Sequence, residues 1–88
     1  MEVVFLRQPY RFIKRADKNL KEKIKNEVLK IKETPFIGEK LKGKNLKGIL
    51  SHHFVFANVA YRIAYIVKNN LIIISIASRE NFYRDLSL

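Results

Sequence analysis

Apolar and polar positions along this chain predict strands at both ends of the fold and helices between them. Residues 2–6 form a short β-branched and aromatic run that predicts a strand. Pro9 suits the first turn of a helix, and Phe12, Ile13 and Ala16 make a short apolar stripe, so a helix is expected over residues 9–16. Asp17 stands where a second helix needs an N-cap. Beyond it Leu20, Ile24, Val28 and Ile31 recur at helical spacing and Leu29 widens the stripe, with lysines filling the positions between. That helix should stop near Glu33, because the residue before Pro35 is driven to an extended conformation. Residues 36–48 predict a loop carrying all three glycines, anchored to the core by Leu41 and Leu46. Residues 49–58, 59–68 and 71–78 predict strands, and residues 80–86 a last helical turn. The order β-α-α-β-β-β describes one α+β domain over residues 1–88, with a two-helix hairpin packed on one face of a mainly antiparallel sheet.

The last two strands predict a hairpin. Asn69-Asn70 joins them, and asparagine tolerates the left-handed backbone of a two-residue turn. Counting outward from that turn, Val67 should meet Ile72, Tyr65 Ile74, Ile63 Ile76 and Tyr61 Ser78, forming an apolar face for the helices. Tyr10, Tyr61 and Tyr65 read as core or helix–sheet contacts. The opposite face should pair Ile66 with Ile73, Ala64 with Ser75, Arg62 with Ala77 and Ala60 with Arg79. Arg62 and Arg79 become diagonal neighbours, roughly 7–8 Å apart at the backbone, with small residues around them. Two readings fit this arrangement. The arginines form a phosphate clamp, since the guanidinium fork matches phosphate oxygens and stays ionised. Alternatively they are solvated and paired with carboxylates such as Glu80 or Asp85. Ile66, Ile73 and Leu71 lie on the same face nearer the turn, open to a protein partner or covered by the C-terminal segment through Phe82, Leu86 and Leu88.

Charge changes the picture. The net charge is +10, and residues 1–50 hold 14 Lys and Arg against 6 Asp and Glu. A small basic domain suits a polyanion such as nucleic acid or the ribosome. Lys40, Lys42, Lys44 and Lys47 in the central loop are candidate backbone contacts. The segment from Gly38 to Lys44 nearly matches a nucleotide-binding P-loop, but Asn45 stands where Ser or Thr is required and no strand precedes it. With no cysteine, thiolate chemistry and disulfides are excluded. The longest apolar run is far below the ~20 residues that span a bilayer, so no membrane association and a cytoplasmic location are expected.

His52 and His53 are the only histidines, and as strand neighbours they point to opposite faces. One is available for proton transfer near neutrality while the other faces the core; both could equally be structural. Two adjacent strand residues cannot chelate one ion, so no metal is expected, nor any cofactor. Tyr83 follows Arg79 by four residues and would face the same groove on a helical turn. There it could stack on a base or assist proton transfer, or serve as an ordinary aromatic contact.

The segment LKGKNLKG, then AYRIAYIV, a short turn, LIIISIASR and a tyrosine resembles the RelE/ParE superfamily of toxins from type II toxin–antitoxin systems, with the look of a small archaeal RelE. The resemblance implies a ribosome-dependent endoribonuclease that cuts mRNA, the 2′-hydroxyl attacking the adjacent phosphate, and a RelB-like antitoxin that wraps and inhibits it. Arg62 and Arg79 would stabilise the charged transition state and Tyr83 would position substrate or move a proton. One departure matters: efficient relatives often carry a lysine pair on the second strand, where this chain reads HHFVFANV. His53 lies nearest one of those lysines and Val55 nearest the other, so either His53 replaces the general base or cleavage is weak. ParE-like relatives act on DNA gyrase instead, and a non-catalytic RNA- or ribosome-binding module is a third possibility.

Overall fold

The computed structural model describes residues 1–43 and 46–85, apart from the side chains of Tyr83 and Asp85. In chain order it comprises β1 (Val3–Phe5), α1 (Arg7–Arg15), α2 (Lys18–Glu33), β2 (Glu39–Lys40), β3 (Leu50–Phe56), β4 (Val59–Lys68), β5 (Asn70–Ser78) and α3 (Phe82–Asp85). The strands form one sheet in the order β1-β5-β4-β3-β2, with β1 parallel to β5 and every other pairing antiparallel. The α+β class and the helix placement are as the sequence predicts. The short edge strand β2 is additional. It lies inside the segment expected to be loop and takes Lys40 with it.

Local chemistry fixes the element ends. The Asp17 carboxylate accepts the Leu20 amide at 2.8 Å, satisfying one of the free donors at the start of α2. Ala57 and Asn58 both adopt left-handed backbone, φ 50° and 64°, and close a two-residue turn between Phe56 and Val59. Primed turns of this kind match the twist of paired strands. The Tyr65 hydroxyl donates to the Pro35 carbonyl at 2.8 Å and accepts the Gly38 amide at 3.1 Å, pinning the chain that leaves α2. A Cβ at Gly38 would stand 2.5 Å from that hydroxyl, so only glycine fits. Burial pushes the Tyr65 phenol above its ordinary pKa, partly countered by the Gly38 hydrogen bond.

The β4–β5 hairpin departs from its expected register near the turn. Only Asn69, at φ 63°, lies between the paired Lys68 and Asn70. Tyr65 meets Ile73 and Ala64 meets Ser75, which leaves Ile74 as an extra residue on β5. Such a bulge breaks the period of two. It turns Leu71 and Ile73 toward the helices, where both are fully buried, and sends Ile74 to the other face. The expected placement of Leu71 and Ile73 on the arginine face, and of Ile74 on the helix face, is thereby corrected. Beyond the bulge the predicted pairs hold: Ile63 with Ile76, Arg62 with Ala77 and Tyr61 with Ser78.

The main core joins Ile24, Val28 and Ile31 of α2 to Phe54, Ile63, Tyr65, Leu71, Ile73 and Ile76 of the sheet. Leu29 is 47% exposed and Tyr10 60%, so neither is the core contact its spacing suggested. A smaller cluster covers the opposite face, where Leu41, Leu46, Ile49 and Phe82 pack over Ala64, Ala77, Ile66 and Ile74. Phe82 thus performs the covering role anticipated for the C-terminal segment; Leu86 and Leu88 lie outside the described residues.

Gln8 ties α1 to β5. Its side-chain amide donates to the Ile76 carbonyl and its carbonyl accepts the Ile76 amide, both at 2.8 Å. The side chain thus continues the β1 ladder past the point where β1 ends. Gln8→Ala is expected to lower unfolding free energy by about 2 kcal/mol, because two backbone groups lose their partner in a part-buried site. Urea denaturation measures this, and an unchanged midpoint would show that water replaces the amide.

Candidate active site

Three of the four predicted catalytic residues meet in one cleft. Arg62 on β4 pairs directly with His53 on β3 and with Ala77 on β5, so the three share a face. Arg79 follows β5 and donates its amide to the Ala60 carbonyl at 2.8 Å, extending the ladder by one step. Arg62, Arg79, His53, Val55 and Ala60 line a cleft of about 360 Å³. An adjoining cleft, lined by Asn58, Ser78 and Glu80, shares Ala60 and Arg79 with it. Arg79 therefore stands on the ridge between two hollows.

Among the described residues neither arginine forms an ion pair. Instead the Arg62 guanidinium lies over the Phe82 ring, 5.4 Å from its centroid. Its Nε is buried without a hydrogen-bond partner among the described residues. Arginine stays ionised in either setting, but on an aromatic face its charge is left uncompensated, whereas a carboxylate partner offsets it. Like-charge repulsion between two such arginines favours an anion in the cleft. The pairing with Glu80 is not formed, and the Asp85 side chain lies outside the described residues. His53 Nε2 lies 3.6 Å from Glu39 Oε2, at the open side of the cleft.

His52 points the opposite way, as adjacent strand residues must. Its Nε2 lies 2.8 Å from Glu27 Oε1 on α2, and Lys23 and Lys30 approach the other carboxylate oxygen at 3.2 and 2.9 Å. Burial alone would raise the Glu27 pKa, but the hydrogen bonds from His52, Lys30 and Lys23 outweigh it and hold the carboxyl at about 2. His52 thus faces the helix layer, and His53 faces the cleft. Tyr83 is the second residue of α3, directly after Phe82, and its side chain lies outside the described residues. Lys40, Lys42 and Lys47 are exposed along β2 and the following loop, on the approach to β3; Lys44 lies outside the described residues. No group of three metal-ligating side chains occurs among the described residues.

A family model described as the ParE-like toxin of type II bacterial toxin–antitoxin systems matches residues 3–87. The chain belongs to this family. It is a type II toxin of the RelE/ParE kind. The solved structure of the intact E. coli RelBE toxin–antitoxin complex contains a chain similar in fold, with a TM-score of 0.69 and 18% identity over 86% of this chain and 93% of that one. No curated protein sequence matches.

Sequence reasoning about the toxin overlooked three supports of the cleft. The helical turn that carries Phe82 is predicted, but its ring contact with Arg62 joins residues 20 positions apart and has no local signal. Glu27 looked like one more charge on a lysine-rich helix; only the tertiary approach of His52 makes it a buried hub. Gln8 carries no signal at all, because its partners are backbone groups 68 residues away.

Proposed function

We propose that this toxin is a ribosome-dependent mRNA endoribonuclease that arrests translation. The observation that carries this reading is the convergence of Arg62, Arg79 and His53 on one cleft, with Arg62 unneutralised. An RNA phosphate in that cleft would sit between the two guanidinium groups. His53 would accept the proton of the attacking 2′-hydroxyl, a role open to imidazole near neutrality. The arginines would stabilise the charge that accumulates on the phosphate as the bond to the 5′-oxygen breaks. Tyr83, carried beside Phe82 on α3, would orient the strand or deliver the leaving-group proton. The exposed lysines Lys40, Lys42 and Lys47, with Lys44, would contact RNA backbone beyond the scissile step. None of these steps calls for a metal or cofactor.

A RelB-like antitoxin is the proposed protein partner. Its seat would be the groove between α1, α2 and β1, where Val3, Phe5, Ile13 and Leu29 form an apolar lining beneath Lys14, Lys21 and Lys25. An amphipathic acidic segment matches both features. Action on ribosomes places the toxin in the cytoplasm, and no helix among the described residues is long and apolar enough to cross a membrane.

The family description favours one other reading, a ParE-like inhibitor of DNA gyrase. Primer extension on mRNA from cells expressing the toxin separates the two. Discrete cuts within translated codons are expected, vanishing in Arg79→Ala. Intact mRNA with a DNA-damage response would instead establish the gyrase reading.

A further inference from the structure

Helix α1 carries a second basic feature that the cleft does not use. Arg7, Arg11 and Arg15 recur every four residues, so they stand in one row, about 6 Å apart along the helix axis. All three line a hollow on the outer side of α1, together with Gln8, Phe12 and Leu20. All three are exposed, and none forms an ion pair among the described residues. The helix contains no acidic residue.

The row only partly suits the helix: Arg15 in the last turn matches the helix dipole, whereas Arg7 in the first turn does not. A cation in the first turn opposes the helix dipole, which favours acidic residues there. The N-cap is Leu6, with no side-chain hydrogen bond to the free amides. Neither choice helps α1 fold, whereas α2 begins on a proper Asp17 cap.

The row is also held rigidly to the cleft. Gln8, next to Arg7, grips Ile76 by two hydrogen bonds, and Ile76 lies three residues before Arg79. Phe12, between Arg11 and Arg15 on the hollow's floor, meets the Tyr61 ring edge-on at 6.1 Å. Tyr61 in turn lines the cleft that holds Arg62 and Arg79. Tyr61 immediately precedes Arg62 on β4, so its ring stands on the helix face while Arg62 stands on the other, and the two basic surfaces lie on opposite sides of the sheet.

We propose that the Arg7/Arg11/Arg15 row is a second RNA site, binding the sugar-phosphate backbone of RNA outside the scissile cleft. The choice of RNA as ligand rests on the endoribonuclease reading above. Arginine forks spaced one helical turn apart suit a run of phosphates. An acidic protein segment would need an apolar floor. The hollow does offer the half-buried Phe12 and Leu20, but three arginine forks on a helix with no acidic residue match a run of phosphates, and the groove on the other side of α1 is the better seat for an amphipathic acidic segment.

The test uses a labelled, 2′-O-methyl 20-nucleotide RNA, which cannot be cleaved by 2′-hydroxyl attack, and vacant ribosomes. The triple variant Arg7→Gln, Arg11→Gln, Arg15→Gln should weaken binding at least about tenfold at low salt. It should also flatten the slope of log affinity against log salt by about 2, the share of three phosphate contacts on a single strand. Each single variant should remove about a third of that slope, which keeps the test decisive should the triple variant fold poorly. Loss on the oligonucleotide identifies message as the bound strand; loss on vacant ribosomes alone identifies ribosomal RNA. Wild-type affinity and slope for both probes would overturn the proposal, as would a loss confined to an acidic antitoxin. Binding is read without cleavage, so a toxin that fails to cut mRNA yet loses RNA affinity in the triple variant refutes the endoribonuclease reading alone.

Discussion

Arg62→Ala is expected to slow mRNA cleavage on programmed ribosomes by about 10²–10³-fold, the usual loss when one preorganised donor to a developing oxyanion is removed. The fold should tolerate it. Arg62 makes no ion pair among the described residues, and its buried Nε lacks a partner, so truncation orphans no opposite charge. The loss is confined to its stacking on Phe82, within about 2 kcal/mol. Arg62→Lys should not restore activity, because an ammonium cannot present two parallel donors or stack flat on the ring. Single-turnover cleavage, read beside the melting temperature, separates chemistry from folding. A well-folded Arg62→Ala protein that cuts at the wild-type rate would remove Arg62 from the reaction.

Acid should unfold the protein through Glu27. Its carboxyl is held at about 2 in the fold against 4.5 when free. A carboxyl with a depressed folded-state pKa stabilises fully above its unfolded value and loses that contribution as pH falls toward the folded value. The window is therefore pH 4.5 down to about 2. The shift corresponds to roughly 3 kcal/mol of stability lost across it. Glu27→Gln should flatten this part of the stability profile and destabilise the protein at neutral pH, since His52 then faces an amide and the two lysines lose their counter-charge. Urea denaturation between pH 6 and about 2 measures both effects. An acid limb identical in variant and wild type would assign the loss to other carboxylates. Glu27 thus ties α2 to β3 at His52, the residue before His53.

The helices were legible because their stripes and stops are local. Asp17 caps α2 and Thr34-Pro35 follows its end, and the backbone obeys both signals. The β4–β5 hairpin was legible only beyond its bulge. An extra residue such as Ile74 leaves no mark where Ile72, Ile73 and Ile74 follow one another, so counting from the turn misplaced Leu71 and Ile73. The tighter turn and the bulge offset each other, so the same count still set Arg62 opposite Ala77 and kept both arginines on one face. The opposed directions of His52 and His53 followed from strand geometry alone. Which one faced the helices required Glu27, and that contact joins residues 25 positions apart.

The parallel pairing of β1 with β5 has a kinetic consequence. Val3 meets Leu71, and α1 rests on a strand from the far end of the domain. Until Ile76 leaves the ribosomal tunnel, the first fifteen residues lack the β5 strand that β1 and Gln8 pair with, and closing so large a loop precedes the reward from those contacts. Assembly of this toxin should therefore finish late and all at once, with the arginine-bearing strands and the amino-terminal helix locking in a single event.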